Sequence, residues 1–589
     1  MTNIQSKKMQ RETLSLLFFI LCLYLPASHV NAQDPGIYKA MGTELEELIS
    51  GKMESDNLIG VSAALIVNDS VVWKKGFGYT DKENQVRMTE HTAVSIESVT
   101  KTFTALAIMQ LQEKGKLDID QPLTQYFPQF RPMTRGEDLN RLTLRSVITH
   151  SSGIQTDILK NSDLNTGKYT DVLGFINETY LLYPPGMVES YSNSGYNILG
   201  HLIKEVSKLD YAEYIHQNIF DPLGMNHSGF FMDSLQNTTR IYAGGNSIHE
   251  YGFRDIASGG IYTSLDDLIL YSRGLMDAYN GKNLSLISTD AIREMFTLQT
   301  GNVLVESNKK GLGWFMFAND SLFAVTHAGD AIWGHSVLIL VPEKKTAAMI
   351  LINSAEGEPL KNDFSNHFIH HLGLSIPDII APNVIREIRT QTEPIPVPDD
   401  VLQKLAGCYS RGFSYVTVSR EGDHLVIERD NKNFVLRAIS ENEFVPYERT
   451  APDTLIEKSN ERYCFIDTCG IQLLFHEAGK KETRLGYRLN EFKTSWFTDK
   501  MGEYEHFGYQ LLMGDTKFKG AELTLSDDRV LMLKLIAYEG DFAFPLQVIS
   551  DEYALTGSMG SGFGFTVKFT EDGSYRIIDF GGITFRKGI

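Results

Sequence analysis

The chain has 589 residues, which is long enough for more than one domain. Its hydrophobic content of 42% and its 18 prolines are typical of a globular protein and exclude a largely disordered one. The 74 acidic residues outnumber the 55 basic ones and give a net charge of −19, which argues against nucleic acid or an anionic membrane surface as a partner. Solubility is a sufficient explanation for this charge.

Residues 1–32 have the pattern of a secretory signal peptide. An apolar run over 14–25, too short to span a bilayer as a helix, lies between a basic stretch and the small-residue site Val30-Asn31-Ala32. We therefore predict cleavage after Ala32 and export to the periplasm or the extracellular space, with no stable membrane span in the mature protein. The alternative is an uncleaved segment that anchors the protein in the membrane.

The first predicted elements of the mature chain are a helix and a hairpin. Leucine and isoleucine recur at helical spacing over 43–55, which predicts an amphipathic helix. Apolar residues over 61–67 and 71–78 predict two strands, and Asn68-Asp69-Ser70 between them predicts the turn of a hairpin.

A serine and a lysine begin the next predicted helix. Apolar residues recur at helical spacing after Lys101 and stop at Gly115, so Ser98 and Lys101 lie on one helix face, near its unpaired N–H groups. A lysine activates a serine hydroxyl when burial or nearby charge lowers the lysine pKa. This spacing is common by chance, since Ser307 and Lys310 repeat it in a polar stretch, and it needs support from the rest of the chain.

Helices and then strands fill the rest of the first region. Residues 116–190 are rich in turns, and helices are predicted after Asn193 and over 265–275. Three short apolar strands and a helix follow, at 322–328, 335–341, 347–353 and 364–372. Because strands lie at both ends of the region with helices between them, we predict an α+β domain over 33–375, with an antiparallel sheet flanked by helices.

A proline-rich linker over 376–399 separates this domain from a tail of different character. Over 400–589 the apolar period changes to two, as at Phe565, Val567 and Phe569, which predicts an all-β region. This C-terminal region forms either one barrel-like domain or two small ones. It shows no catalytic constellation. We expect it to be a separable domain that shapes access to the cleft or contacts a partner, so that truncation near Pro394 leaves a folded hydrolase with an altered substrate range.

The mature chain keeps three cysteines, Cys408, Cys464 and Cys469, whose spacing gives no zinc-ligand cluster. In an exported protein Cys464 and Cys469 form either a small-loop disulfide or two buried thiols. The sequence predicts no metal and no cofactor.

Three short motifs of the first domain belong together: Ser98-Val99-Thr100-Lys101, Tyr191-Ser192-Asn193 and His327-Ala328-Gly329. In this order they resemble the serine β-lactamase and penicillin-binding-protein superfamily. The resemblance covers about residues 36–375 and is greatest to the class C-type branch, which includes β-lactamases, DD-peptidases, esterases and D-aminopeptidases. The segment 144–153, Pro185-Gly186 and Ser258-Gly259-Gly260 also agree with it.

The resemblance implies a role for each matching residue. Ser98 is the nucleophile that becomes acylated, and Lys101 and Tyr191 handle its proton. Asn193 orients the substrate amide or the lysine, and His327 and Gly329 line the strand edge along which the substrate lies. Backbone N–H groups of Ser98 and Asp330 form the oxyanion hole. A phenol and an ammonium placed close together favour each other's charged form, which allows Tyr191 to be partly phenolate.

Two residues depart from the β-lactamase pattern. His327 stands where those enzymes usually carry lysine, and with an ordinary pKa of about 6.5 it is mostly neutral at pH 7. Asp330 follows the glycine where a small residue is common, and it disfavours anionic substrates if its side chain faces the cleft. We therefore predict a serine hydrolase of small esters, amides or D-amino-acid peptides, with weak β-lactamase activity.

Other enzyme classes fit less well, and one rival remains. The chain has neither the Gly-x-Ser-x-Gly elbow of α/β-hydrolases nor the His-Glu-x-x-His motif of zinc proteases. The rival is a catalytically silent homologue that binds peptidoglycan fragments or a protein partner through the same cleft. The predicted partner is a small-molecule or peptide substrate, not nucleic acid, and the sequence sets no oligomeric state.

Overall fold

The computed structural model describes residues 35–588, apart from gaps at 162–166, 231–234, 249–253, 283–284, 300–309, 319–321, 332–333, 375–392, 430–431, 452–453, 459–460, 469–470, 479–480, 508–517, 539 and 558–563. The predicted signal peptide, Cys469 and most of the predicted linker lie outside the described residues. Signal cleavage therefore stays a prediction, and so does the pair of alternatives for Cys464 and Cys469, a disulfide or two thiols.

Most helices of the first domain lie between the strands at its two ends. Those up to residue 223 are Pro35–Ser55 (α1), Thr100–Glu113 (α2), Leu123–Tyr126 (α3), Leu144–Ile148 (α4), Val172–Ile176 (α5), Asn193–Ser207 (α6), Tyr211–Ile215 (α7) and Asp221–Leu223 (α8). The later ones are Ile256–Gly259 (α9), Leu265–Tyr279 (α10), Thr289–Met295 (α11), Glu358–His371 (α12) and, ahead of the tail, Asp399–Leu405 (α13). Among the described residues, no helix has both the length and the apolar character needed to cross a membrane.

The first domain has strands near both ends of its sequence, as predicted, and three short ones between 241 and 263. They are Gly60–Val67 (β1), Ser70–Asp81 (β2), Val86–Arg87 (β3), Val94–Ser95 (β4), Ile241–Ala243 (β5), Asn246–Ile248 (β6), Tyr262–Thr263 (β7), Phe315–Ala318 (β8), Phe323–Ala331 (β9), Gly334–Val341 (β10) and Thr346–Ile352 (β11). Seven of them form one antiparallel sheet in the order β3-β2-β1-β11-β10-β9-β8. The α+β prediction is confirmed.

Helices cover both faces of this sheet. Every residue of β1, β10 and β11 is buried, as expected for central strands with two covered faces. On one face, α1 and α12 pack Leu45, Phe364 and Phe368 against the strands. The larger core lies on the other face, where α2, α6 and α10 gather. Ser98 stands at the start of α2, so the candidate site lies on the α2 side.

The tail is all-β, as predicted, and it contains two units. The first is a nine-stranded sheet that closes through an extra pairing of β15 with β16: Gly407–Arg411 (β12), Ser414–Glu421 (β13), His424–Arg429 (β14), Lys432–Ala438 (β15), Glu443–Ala451 (β16), Thr454–Glu457 (β17), Glu461–Thr468 (β18), Ile471–Ala478 (β19) and Lys481–Arg488 (β20). The second is a closed barrel: Gly502–Phe507 (β21), Phe518–Leu525 (β22), Leu531–Ala537 (β23), Phe542–Val548 (β24), Tyr553–Thr556 (β25), Thr566–Asp572 (β26), Tyr575–Phe580 (β27) and Ile583–Gly588 (β28).

The tail packs directly against the first domain, close to the candidate site. One buried apolar cluster joins Leu182, Tyr183, Met187 and Val188 of the first domain to side chains of both β units. The segment 154–160 is also tied to the closed barrel. Its contacts are Thr156 N–H to the Gly564 carbonyl at 3.1 Å, Leu159 N–H to the Gly581 carbonyl at 2.7 Å, and Thr566 N–H to Gln155 Oε1 at 3.1 Å.

Candidate active site

A sharp turn presents Ser98. The predicted helix begins with one 3₁₀ turn, Glu97–Val99, and the regular α2 helix starts at Thr100. Glu97 has φ +48°, in the left-handed region that is uncommon for a non-glycine residue. Ser98 is partly exposed, whereas Glu97 and Val99 on either side are buried. The reversal at Glu97 thus leaves the serine hydroxyl accessible at the end of an otherwise buried helix.

Lys101 lies behind the serine in a fully buried position. Its Nζ is 3.0 Å from Ser98 Oγ and 2.7 Å from the backbone carbonyl of Ser258. Burial lowers the pKa of Lys101 to about 7, against the opposing charges of Asp157 and Glu97. A neutral amine has one lone pair and can accept the serine proton. Near pH 7 a substantial fraction of the molecules therefore has a neutral Lys101 that can act as the base.

Tyr191 lies on the other side of the serine. Its ring centroid is 4.9 Å from Lys101 Nζ, and its hydroxyl shares a hydrogen bond with Ser98. Burial raises the pKa of Tyr191 above the ordinary value and outweighs the hydrogen bond with Ser98, so Tyr191 stays a neutral phenol. The two groups next to the serine are therefore pushed in opposite directions, one toward a base and one toward an acid.

His150 fixes the loop that carries Tyr191. Its Nδ1 accepts the backbone N–H of Ser192 at 3.0 Å, and its ring packs against Tyr191 with centroids 4.2 Å apart. Burial and the nearby cations Lys310 and Lys101 hold the pKa of His150 well below its usual range. His150 is therefore neutral, which is the state that lets Nδ1 accept the bond.

Asn193 begins α6, capped by the Ser192 hydroxyl. Its Nδ2 donates to Asp157 Oδ1 at 2.9 Å. Burial raises the pKa of Asp157 to about 6, against the hydrogen bond from Asn193. Asp157 is thus mostly ionised at pH 7 and favours the protonated form of Lys101. Asn193 thus acts on Lys101 indirectly, because it holds Asp157, whose charge favours the protonated form of the lysine.

Arg254 supports Asp157 from inside the domain. It is fully buried, donates to the Ile158 carbonyl at 2.6 Å, and pairs with Asp255 at 2.5 Å. The closed barrel of the tail holds the same segment from outside through Thr156. The position of the Asp157 carboxylate is consequently set by contacts from two domains.

Strand β9 passes the nucleophile with its edge partly open. The pairing of β8 with β9 stops at Phe315 and Thr326, so residues 327–331 are paired only with β10. His327 is buried beside the Phe315 ring, and burial together with the Lys101 charge lowers its pKa to about 3. His327 is therefore neutral at physiological pH, as predicted from its ordinary pKa.

Gly329 marks the closest approach of β9 to the nucleophile's turn. A Cβ atom added here would lie 2.2 Å from the Ile96 carbonyl and 2.5 Å from Ser336 Oγ, which rules out a side chain. Ser336 donates to the same Ile96 carbonyl at 2.8 Å. Glycine at 329 thus lets the sheet and the turn of Ser98 pack together.

The carboxylate of Asp330 is occupied on its own side of the strand. It accepts from His335 Nδ1 at 2.7 Å and forms an ion pair with the buried Lys361 of α12. Burial opposes its ionisation, but the His335 hydrogen bond and the Lys361 charge outweigh burial and lower the pKa of Asp330. Its charge is neutralised by Lys361, which answers the concern that it would repel anionic substrates.

A second buried ion pair lies near the cleft. Lys310 Nζ is 2.5 Å from Glu189 Oε1, with both side chains 5% exposed. Its charge depresses the pKa values of both His150 and His327. In the sequence, Lys310 shows only a chance repeat of the serine–lysine spacing, with Ser307.

The structure thus gathers the predicted Ser98, Lys101, Tyr191, Asn193, His327 and Gly329 around one point, with Asp330 next along β9. Sequence reasoning missed Glu97, His150, Asp157 and the Lys310–Glu189 pair. His150 lay within a quoted motif and Glu97 adjoins the serine, so both carried a local signal. Asp157 carried none.

Comparisons with known proteins point to one family for the first domain. The sequence profile of the family described as Beta-lactamase matches residues 45–370, more than half of the chain. Protein flp of Staphylococcus aureus (strain MRSA252) is 26% identical over 349 residues, covering 56% of this chain and 66% of flp. The protein named "Putative penicillin-binding protein PbpX" of Bacillus subtilis (strain 168) is 32% identical over 244 residues, covering 40% of this chain and 58% of that protein.

The chain therefore spans just under two thirds of flp and a smaller share of PbpX. Among solved structures, SurE is 20% identical with a TM-score of 0.53, and the match covers 76% of this chain and 99% of SurE. This is a likeness in fold alone. With the profile match over the whole first domain and the serine, lysine and tyrosine in place, the chain belongs to the β-lactamase family and its wider serine hydrolase superfamily.

Proposed function

We propose that the protein is a serine hydrolase that acts through an acyl-enzyme on Ser98. The observation that supports this most directly is the buried Lys101 amine, 3.0 Å from the Ser98 hydroxyl with a pKa of about 7. A buried lysine without a chemical role is costly, because burial disfavours its charged form. In this protein the same burial favours the neutral amine of Lys101, which contacts the partly exposed Ser98.

The chemistry follows from the two pKa directions. Neutral Lys101 takes the Ser98 proton while Oγ attacks the substrate carbonyl, and backbone N–H groups of Ser98 and Asp330 receive the charge that develops on oxygen. As the tetrahedral intermediate collapses, the phenol of Tyr191 gives its proton to the leaving group and takes the proton held by Lys101, so that both groups return to their neutral forms. Water then attacks the acyl-enzyme, with the same groups acting in reverse.

We propose small esters, amides or D-amino-acid peptides as substrates. A β-lactam carries a carboxylate next to its scissile amide that a cation along β9 would bind, but His327 in that position is neutral. Of the described lysines near the cleft, Lys310 is paired with Glu189 and Lys361 with Asp330. Binding of such a carboxylate would have to compete with these pairs, which favours substrates with no carboxylate next to the scissile bond and predicts weak β-lactamase activity.

A substrate panel tests this proposal. An activated acetate ester, a D-alanyl amide and a chromogenic cephalosporin are compared on wild type and on Ser98→Ala. We expect turnover of the ester or the amide to exceed that of the cephalosporin and to fall by several orders of magnitude in Ser98→Ala. A cephalosporin turned over far faster than both would reverse the substrate assignment. No turnover of any substrate by a folded wild type would favour the silent homologue.

We further propose that the protein is exported and cleaved after Ala32. The basic, apolar and small-residue pattern of residues 1–32 supports this. N-terminal sequencing of protein recovered from a secreting host should begin at Gln33. Protein retained in the membrane with residues 1–32 still attached would replace cleavage with the anchor alternative.

A further inference from the structure

Three metal-ligating side chains meet on the face of the sheet away from Ser98. Glu44 of α1 and His367 and His371 of α12 offer donor atoms that all lie within 4.8 Å of one another. His367 Nε2 is 3.0 Å from Glu44 Oε2, and His371 Nε2 is 3.5 Å from the same oxygen. Nothing in the proposed hydrolase chemistry uses these residues.

The fold places these donors together for simple reasons. Residues four apart on a helix lie one above the other, so His367 and His371 share a face of α12. Helices α1 and α12 both bury apolar side chains in the core beneath them, such as Leu45 and Phe364. Glu44 precedes Leu45 and lies at the exposed rim of the seam between the helices. The cluster therefore bridges two helices that are more than 300 residues apart in the chain.

The hydrogen bonds also fix which imidazole nitrogen is available. His371 Nδ1 lies 2.9 Å from the His367 carbonyl oxygen, which can only accept, so Nδ1 carries the proton. Nε2 is therefore the nitrogen of His371 that faces Glu44 Oε2, 3.5 Å away, in position to bind a cation together with that carboxylate. A backbone carbonyl that accepts the other N–H is also the usual support of a metal-binding histidine.

We propose that Glu44, His367 and His371 form a binding site for a divalent transition metal, with Zn²⁺ as the ion of choice. Two imidazole nitrogens and one carboxylate are ligands that Zn²⁺ accepts, and water completes its tetrahedral shell at the exposed rim. The ion joins α1 to α12 and stabilises the first domain, with no part in hydrolysis.

Metal binding to the untagged mature protein tests the proposal. Calorimetric titration with ZnCl₂ after chelator treatment should show one equivalent bound, and saturating Zn²⁺ should raise the melting temperature by about 5 °C. His371→Ala and Glu44→Gln should lose both effects. His370→Ala is the matched control, because it removes a histidine that adjoins the cluster on the same helix but is not part of it, and it should keep both effects.

Two further results separate this site from the hydrolase. Ser98→Ala should bind Zn²⁺ as wild type does, and chelator should leave the rate of ester hydrolysis unchanged at temperatures well below melting. The variants should melt within 1–2 °C of metal-free wild type, about the effect of an exposed substitution, which shows that they fold. Absence of binding by the folded wild type, or equal binding by His371→Ala, would overturn the proposal.

Discussion

The pH dependence of acylation follows from the pKa of Lys101. Only the neutral amine can accept the Ser98 proton, and the pKa is about 7. The rate should therefore reach a plateau above pH 8 and be about a tenth of the plateau at pH 6. Below pH 6 the rate should fall less than tenfold per pH unit, because Asp157, with a pKa of about 6, becomes protonated and no longer favours the protonated lysine. Tyr191 imposes no limit in this range, because burial keeps its pKa above the ordinary value of 10.0.

The substitution Asp157→Asn tests the cause of this profile. Asp157 carries a negative charge that favours protonated Lys101, so its removal should lower the lysine pKa and move the acid limb to lower pH. Asparagine keeps an oxygen that can accept the bond from Asn193 Nδ2. Asp423→Asn, at a fully exposed carboxylate in the tail, makes the same change in net charge and should leave the profile unchanged.

The assay is kcat/KM for an activated ester between pH 4.5 and 9, because this ratio reports the pKa of the free enzyme. Melting temperatures measured at each pH confirm that the protein is folded. A rate independent of pH between 5 and 8 would refute Lys101 as the base. A shift of the limb to higher pH in Asp157→Asn would refute the electrostatic argument.

Three further predictions follow from contacts around the site. Gly329→Ala should lower kcat/KM at least a hundredfold and destabilise the fold by about 1–3 kcal/mol, because its Cβ meets the Ile96 carbonyl at 2.2 Å. The control Gly51→Ala meets nothing within 4 Å and should leave kcat/KM unchanged; because Gly51 lies within helix α1, this change should stabilise the fold slightly, by up to about 1 kcal/mol. Asp330→Asn should lower the melting temperature at pH 7. The folded pKa of Asp330 is depressed, so its stabilisation is present above about pH 3.9 and is lost as pH falls through the folded pKa; equal loss at every pH would contradict the ion pair with Lys361. Truncation before residue 394 should cause aggregation or loss of activity, contrary to the separable tail expected from the sequence, because the tail packs on the first domain. A soluble, fully active product would show that the tail contacts are dispensable. The truncation would expose the four apolar side chains of the first domain in the shared cluster. Burial of each contributes about 1.5 kcal/mol or more, and their sum approaches the free energy of unfolding of a typical domain.

Much of the fold was predictable because its signals are local. Helical spacing after Asn193 and the short apolar runs before residue 353 depend on neighbouring residues only. The start of α2 was harder to predict. The sequence predicts a regular helix at Ser98, but Glu97 has a left-handed φ and a 3₁₀ turn precedes the helix. The turn that contains Glu97 packs closely against β9 at Gly329. This is a tertiary contact, which the local sequence does not encode.

The site divides in the same way. Ser98, Lys101 and Tyr191 stand in short motifs that can be recognised by order, whereas Asp157 is placed by Arg254, nearly 100 residues later, and by Gly564 of the tail, about 400 residues later. No local pattern encodes such contacts. The expectation that Tyr191 is partly phenolate was wrong, because burial outweighs the attraction between phenolate and ammonium.

The central claim is that Ser98 is the nucleophile, and covalent labelling tests it most directly. Mature protein is incubated with a fluorophosphonate probe, digested and mapped by mass spectrometry. One adduct is expected in wild type, on Ser98, and none in Ser98→Ala. The free energy of unfolding of Ser98→Ala should differ from that of wild type by about 1 kcal/mol or less, the effect of a mild substitution. An adduct on another serine, or undiminished hydrolysis by folded Ser98→Ala, would contradict the account.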